Sequence, residues 1–166
     1  MAAPSITVAS HRGRRLASAT AVAVAIVLLD VVTKRLGEAR LDRSGPRWLI
    51  DGWVGFERTS NSGVAFSLLD GQPVVWLLLA LAVAGLGWLA LDVARDAVSS
   101  AALLPVAAIA AGAAGNLIDR LGDGRVTDLI AVGPWPRFNI ADTSLTIGLL
   151  LLLVQTATTK GQHPDD

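Results

Sequence analysis

The stretch GQPVVWLLLALAVAGLGWLAL, residues 71–91, contains 21 residues and no charged side chain. An α-helix of about 20 apolar residues crosses the roughly 30 Å hydrocarbon layer of a membrane. Three other stretches are almost as apolar: 16–33, 97–118 and 138–159. The sequence therefore predicts an α-helical integral membrane protein with four transmembrane helices, at approximately 16–34, 72–93, 98–119 and 139–159.

The composition agrees with a membrane protein. Of the 166 residues, 52% are apolar and 17% are charged, whereas about 25% are charged in an ordinary soluble domain. A soluble bundle of four buried helices is the alternative, but it would leave almost no chain to cover the apolar runs. The length allows one domain, taken as residues 1–166.

Several classes of function are disfavoured by residues that the chain lacks. The net charge is zero without basic clusters, so we expect no nucleic-acid partner. No cysteine is present, which excludes disulfides and cysteine nucleophiles. The two histidines, His11 and His163, lie in polar tails, so neither a zinc site nor a serine–histidine triad is expected. We predict no metal and no cofactor.

The charges around the first apolar run leave the orientation open. Arg12, Arg14 and Arg15 precede it and favour a cytoplasmic N-terminus, but nine of the 14 basic residues would then lie outside, which favours the opposite orientation. A cleaved signal peptide is an alternative for this run, although the charged residues that follow it do not suit a cleavage region. In the connection from 34 to 70, the alternating WLIDGWVGFERTS (48–60) predicts short strands.

Ionisable groups at the ends of the spans indicate a partner or a function, because each costs several kcal/mol in a membrane unless it is paired. Asp30 and Lys34 are four residues apart with the acid first, the order in which a helical pair interacts best. We interpret them as a structural ion pair in preference to a catalytic pair.

A second polar group lies where the third span ends. Asn116, Asp119 and Arg120 in GNLIDR are spaced i, i+3 and i+4, which puts them on one helix face. Asp128 follows Arg120 by eight residues, and Asp142 comes 14 residues later. The pattern therefore predicts a cluster of carboxylates and amides at one membrane surface.

Two of these acids suit a shared-proton pair. Asn139 is a natural N-cap for the fourth span, which puts Asp142 in the first helical turn, where the helix dipole favours a carboxylate. Asp128 has apolar neighbours. We therefore expect Asp142 to be the readier anion and Asp128 the acid. Such a dyad can activate water for peptide hydrolysis, but the spacing alone does not distinguish it from a proton relay.

Five ordered motifs resemble those of the lipoprotein signal peptidases (signal peptidase II), which are aspartic peptidases of the bacterial membrane. No single motif is specific, but together they extend over nearly the whole chain. They are DVVTK (30–34), NSGVAFSLL (61–69), GNLIDR (115–120), VTDLI (126–130) and FNIADTSLTIG (138–148).

The resemblance implies a role for each matched residue. The catalytic dyad of the family matches Asp128 and Asp142. Asp30 and Lys34 match the first motif, which we still interpret as structural. The positions that hold substrate or support the dyad match Asn61, Gly63, Asn116, Asp119, Arg120 and Asn139.

The resemblance also implies an architecture and a reaction. It predicts four helices with a small β-cradle, here within 42–68, a loop at 121–137, and both termini in the cytoplasm. The expected location is the bacterial cytoplasmic membrane, with the active site near the extracytoplasmic face. The substrate would be a diacylglyceryl-modified prolipoprotein, cut before the lipidated cysteine, and globomycin would inhibit the enzyme. We expect a monomer in contact with membrane lipid, and no cofactor.

The sequence departs from the family pattern after Asp128. Leu129 follows Asp128 where the family usually has an aromatic residue, and the stretch from Asp128 to Asp142 is short. The short stretch concerns the length and motion of the covering loop, and not the dyad.

Three alternatives remain at this point. A small transporter would carry acids in its spans, although we find no internal repeat and no acid near mid-membrane. A serine–lysine peptidase could use Ser60 or Ser62 with Lys34 as its base. A non-enzymatic scaffold would tolerate the change Asp128→Asn.

Overall fold

The computed structural model describes residues 5–42, 44–61 and 102–160. The predicted span 72–93 and residues 98–101 of the next predicted span lie outside the described residues. The described elements, in chain order, are α1 (Ser5–Arg40), β1 (Arg47–Ile50), β2 (Val54–Asn61), α2 (Leu103–Gly122), β3 (Val126–Val132) and α3 (Ile140–Lys160).

Helix α1 extends beyond the apolar run at both ends. It contains 36 residues, about 54 Å at 1.5 Å per residue, whereas the sequence predicts a span at 16–34. Hydropathy marks the part of a helix that suits lipid, but the backbone hydrogen bonds of a helix continue into the polar flanks. The bounds of α2 and α3 differ from the predicted spans by only a few residues.

Two of the described helices are long and apolar enough to cross a membrane: Gly13–Arg40 and Ile140–Thr158. Their large apolar side chains face outward, as lipid-facing residues do and as core residues of a soluble protein do not. The exposed ones include Val24, Leu28, Leu29, Val32, Leu149, Leu150, Leu153 and Val154. The count of four spans stays a prediction.

Small residues let α2 pack closely against α3. A Cβ atom on Gly112 would overlap the carbonyl oxygen of Ala141, and one on Gly148 would lie 2.7 Å from the carbonyl oxygen of Pro105. Glycine at these positions brings the two backbones into contact, a form of close packing that small residues also allow between membrane helices. The N-terminus of α3 is thereby held against the middle of α2.

The three strands form one antiparallel sheet in the order β1-β2-β3. The first two form a hairpin within the predicted region 42–68, with Gly52 at φ +69° in the turn. The third comes from the connection 121–137, which the sequence analysis treats as a loop. Its residues extend because β2 supplies their hydrogen-bond partners, and Asn61 pairs with Val126 in the register.

Candidate active site

Asp128 lies on β3, and its side chain is 3% exposed. Successive side chains of a strand alternate between its two faces. Thr127 and Leu129 face α1, where the Thr127 hydroxyl donates to Glu38 Oε1 at 3.0 Å and Leu129 lies against Gly37. Asp128 therefore faces the other side.

Asp142 lies in the first turn of α3 and is held by a reciprocal cap with Asn139. The Asp142 backbone N–H donates to Asn139 Oδ1 at 2.8 Å, and the Asn139 backbone N–H donates to Asp142 Oδ2 at 3.3 Å. This is the geometry of a capping box, with aspartate in the position usually held by glutamate. The Asp142 carboxylate is thus fixed at the helix N-terminus.

Asn139 joins the two acids. Its side-chain Nδ2 donates to Asp128 Oδ1 at 2.8 Å, while its backbone holds Asp142. The Asn139 side chain is 2% exposed, so a buried amide connects the strand acid to the helix acid. The structure therefore brings together the two carboxyl groups that the sequence analysis singled out.

Burial, and to a smaller extent the charge of Asp142, raise the pKa of Asp128 to about 7. Hydrogen bonds from Asn61 and Asn139 and the charge of Lys34 act in the opposite direction. Near neutral pH the Asp128 carboxyl group can therefore hold or release a proton. A carboxyl group with such a pKa beside a second carboxylate can supply both an acid and a base.

Asn116 contacts the site from α2. Its Nδ2 donates to Asp142 Oδ1 at 2.7 Å, and its Oδ1 accepts from Asn139 Nδ2 at 3.2 Å and from Lys34 Nζ at 3.1 Å. One amide thus contacts the cap, the helix acid and a buried cation.

Asp30 and Lys34 form the pair that their spacing predicts, with Lys34 Nζ 2.7 Å from Asp30 Oδ2. Both are buried, and both also reach other helices. Lys34 Nζ lies 2.9 Å from Asp119 Oδ2 on α2, and Asp30 Oδ1 accepts the backbone N–H of Ala141 on α3 at 2.9 Å. The sequence contained no signal for these contacts between helices.

The two charged residues at the end of α2 act on different parts of the site. Asp119 Oδ2 accepts the backbone N–H of Thr127 at 3.1 Å and so fastens β3 to α2. Arg120 donates to the backbone carbonyl of Asn116 at 3.2 Å, and its guanidinium interacts electrostatically with Asp142 and Asp128.

Asn61 lies at the end of β2, diagonal to Asp128 on the same face of the sheet. Its Nδ2 is 3.5 Å from Asp128 Oδ2, a long contact. Gly63 lies outside the described residues.

The sequence analysis missed Thr127 and Glu38. Thr127 is held by its N–H, by its hydroxyl and by its carbonyl oxygen, which accepts from Asn139 Nδ2 at 3.4 Å. Its place directly before Asp128 was the only available signal, and nothing marked Glu38. Within 5–42, 44–61 and 102–160, no group of three or more His, Asp or Glu residues is arranged to hold a metal ion.

Comparison with known proteins gives consistent matches. A family model described as signal peptidase (SPase) II matches residues 22–158. A lipoprotein signal peptidase of Rhodococcus jostii is 35% identical over 150 residues, 87% of this chain and 73% of the relative. One from Mycobacterium tuberculosis (strain ATCC 25618 / H37Rv) is 37% identical over 148 residues, 85% of this chain and 71% of the relative.

Two solved structures of bacterial membrane enzymes are also similar, both determined by the in meso method. The first has a TM-score of 0.79 at 26% identity and covers 90% of this chain and 94% of its own. The second has a TM-score of 0.73 at 28% identity and covers 84% of this chain and 92% of its own.

Proposed function

Since this chain belongs to the signal peptidase II family, we propose that it cleaves diacylglyceryl-modified prolipoproteins by an aspartic mechanism. The resemblance drawn from five motifs is confirmed by the family match. The chain is a membrane peptidase that removes signal peptides from prolipoproteins. Family membership also argues against the transporter and scaffold alternatives.

We assign the base to Asp142 and the acid to Asp128. Asp142 accepts hydrogen bonds from Asn116 and from the Asn139 backbone, as a carboxylate does. It takes a proton from water, the water oxygen bonds to the scissile carbonyl carbon, and Asp128 gives its proton to the carbonyl oxygen. The tetrahedral intermediate then collapses: the C–N bond breaks, Asp142 gives its proton to the leaving amine, and one hydroxyl of the intermediate returns a proton to Asp128 as the carbonyl forms again.

One observation carries this assignment: Asn139 bonds to both carboxyl groups at once. A proton relay requires acids in sequence along a path, whereas hydrolysis requires two acids that act on one bond. The Asp128 pKa of about 7 supports the acid role, because the carboxyl group is then partly protonated near neutral pH.

The surrounding residues serve this pair. In our proposal Asn116 and Asn139 orient the dyad, Asp119 and Arg120 support it, and Asn61 and Gly63 hold the substrate strand beside it. The Asp30–Lys34 ion pair ties α1 to the other two described helices.

We further propose the complete architecture of the family for residues 1–166. It has four transmembrane helices at about 16–34, 72–93, 98–119 and 139–159, with a β-cradle built from 42–68 and completed by β3. The chain is a monomer in contact with membrane lipid. The outward apolar faces of α1 and α3 support this contact.

We propose that both termini lie in the cytoplasm, as the family resemblance implies, and the geometry of the helices supports their placement at one membrane face, opposite the site. Lys34, near the end of α1, reaches the site, so the start of that helix lies at the opposite membrane face. Helix α3 begins at the site and runs away from it, toward the face where α1 starts. In the bacterial cytoplasmic membrane, this arrangement has the site near the extracytoplasmic face and the lipidated cysteine next to the bilayer.

The serine–lysine alternative does not suit Lys34. The Lys34 ammonium has Asp30, Asp119 and Asn116 as hydrogen-bonding or ionic partners, and all three contacts are made by acceptor oxygens. A lysine that serves as a base must instead be neutral and free to accept a proton.

The test is cleavage of a diacylglyceryl-modified prolipoprotein by the full-length enzyme in detergent micelles. The wild type should cut before the lipidated cysteine, and globomycin should block it. Asp128→Asn and Asp142→Asn should each reduce kcat by about 100- to 10,000-fold while the protein stays folded. Asp51→Asn serves as a matched control, because Asp51 is exposed in the turn between β1 and β2. Substantial activity in either aspartate variant would exclude the aspartic mechanism.

A further inference from the structure

The Lys34 ammonium is surrounded by acceptor oxygens from two helices. It lies 2.7 Å from Asp30 on its own helix, and 2.9 Å from Asp119 and 3.1 Å from Asn116 on α2. An ammonium group has three donors and no acceptor. The residue is 2% exposed, so a buried group that can only donate faces three oxygens, two in ion pairs and one in a hydrogen bond.

The third contact decides which way the Asn116 amide points. A carboxamide has an acceptor oxygen on one side and an NH₂ donor on the other, and the two are close to isosteric. Because Lys34 can only donate, Asn116 must turn its oxygen toward it. Asn139 Nδ2 donates to the same oxygen at 3.2 Å and favours the same orientation.

The opposite side of the amide then faces the dyad. With its oxygen toward Lys34, Asn116 donates Nδ2 to Asp142 Oδ1 at 2.7 Å. The reversed amide would bring NH₂ against an ammonium and would point an oxygen at a carboxylate. Both contacts would be repulsive and buried, where such mismatches are costly.

Building on the proposed function, we propose that Lys34 is a positioning residue of the peptidase that acts through Asn116. It holds the amide in the orientation that donates to Asp142, and so fixes the position of the carboxyl group that serves as the base. This role goes beyond that of a structural ion pair, for which the contact between Lys34 and Asp30 would be enough. The two residues of the ion pair thus have different roles: Asp30 anchors the start of α3, and Lys34 orients the amide that contacts the base.

A double-mutant cycle tests whether Lys34 acts through Asn116. Lys34→Gln keeps donors near Asp30 and Asp119, but glutamine can also accept a hydrogen bond and does not enforce the Asn116 orientation. We expect Lys34→Gln and Asn116→Ala each to lower kcat by about 10- to 100-fold, with KM changed by less than about threefold. In the Asn116→Ala background, Lys34→Gln should lower kcat by less than about threefold more.

Two further variants separate positioning from folding. Lys34→Arg keeps a group that only donates and should recover at least about half of the logarithmic loss in kcat caused by Lys34→Gln. Arg40→Gln, which removes an exposed cation from the same helix, should leave kcat and KM unchanged. Thermal unfolding in detergent checks that each protein is folded.

The proposed role of Lys34 is wrong if the losses in kcat multiply in the double variant, or if kcat of Lys34→Arg is no higher than that of Lys34→Gln. If Lys34→Gln alone does not fold, the cycle is repeated with Asp30→Asn in every variant, so that a buried cation and a buried anion are removed together. The same two outcomes then decide. Activity of Asp128→Asn would instead overturn the aspartic mechanism, which separates failure of the proposed function from failure of this inference.

Discussion

Asp30 Oδ1 accepts the backbone N–H of Ala141 at 2.9 Å, although the two residues are 111 positions apart in the chain. The N–H belongs to the first turn of α3, where a helix leaves backbone donors without intrahelical partners. A carboxylate from α1 thus caps the helix that carries Asp142. The pairing of Asp30 with Lys34 leaves its second oxygen for this contact.

Loss of the Asp30 carboxylate should therefore destabilise the fold. Asp30→Leu leaves Lys34 buried without its nearest anion and Ala141 without an acceptor, so we expect a loss of about 3–5 kcal/mol in the free energy of unfolding. Asp30→Asn keeps an acceptor for Ala141 and should lose less. Thermal unfolding in detergent measures both, and equal Tm values for Asp30→Leu and the wild type would contradict the capping role.

Glycine in α2 should be required where α3 lies against it. Gly112→Ala would push a Cβ into the Ala141 carbonyl, so we expect a loss of about 1–3 kcal/mol in stability. Gly13→Ala is the matched control, because a Cβ there meets nothing within 4 Å. Since alanine favours helix over glycine, that variant should be neutral or slightly stabilising. A Tm for Gly112→Ala as high as that of Gly13→Ala would mean that the helices are not in close contact.

Replacement of Asn139 by serine should separate its effect on helix stability, as the N-cap, from its effect on catalysis, through the contact with Asp128. Serine is also a good N-cap and preserves most of the helix stability, but it is too short to donate to Asp128. We expect Asn139→Ser to lower kcat by about 100-fold with a small change in Tm. Asn139→Ala should lower kcat as much and also lose about 0.5–2 kcal/mol of stability from the missing cap. If Asn139→Ser kept full activity, the contact with Asp128 would have no catalytic part.

The activity should decline on the alkaline side as Asp128 loses its proton. With a pKa of about 7 for this carboxyl group, kcat/KM should fall above about pH 7. Because the two acids are coupled, the apparent pKa read from the profile belongs to the pair. A pH–rate profile from pH 5 to 9 measures it, and an undiminished rate at pH 9 would exclude Asp128 as the acid.

Stability should follow the same titration. The pKa of Asp128 rises from 3.8 to about 7 on folding, so the folded chain binds this proton more tightly than the unfolded chain. Its contribution to the free energy of unfolding therefore falls as the pH rises from about 4 to about 7. Asp128→Asn removes this dependence. The decrease in Tm between pH 5 and pH 8 should be smaller in the variant than in the wild type, and equal decreases would contradict the raised pKa.

Several features could be read from the sequence because they depend on neighbours along the chain. The apolar runs mark helices that suit lipid, since about 20 residues span the hydrocarbon layer. Asp30 and Lys34 are separated by about one helical turn, and the cap between Asn139 and Asp142 lies within four residues. Spacing alone determines each of these contacts. The order of five motifs was enough to identify the family.

Other features were decided only by the tertiary structure. The sequence analysis treated 121–137 as a loop, but β2 turns part of it into a strand by supplying hydrogen-bond partners from another part of the chain. The contacts of Lys34 with Asn116 and of Thr127 with Glu38 join residues 82 and 89 positions apart. Such contacts depend on which helix faces meet, and the hydropathy of a single helix does not specify its rotation or its neighbours. The sequence by itself therefore determined the apolar helices α1 and α3, the family and the candidate acids, whereas packing determined which amide, cation and strand hold those acids in place.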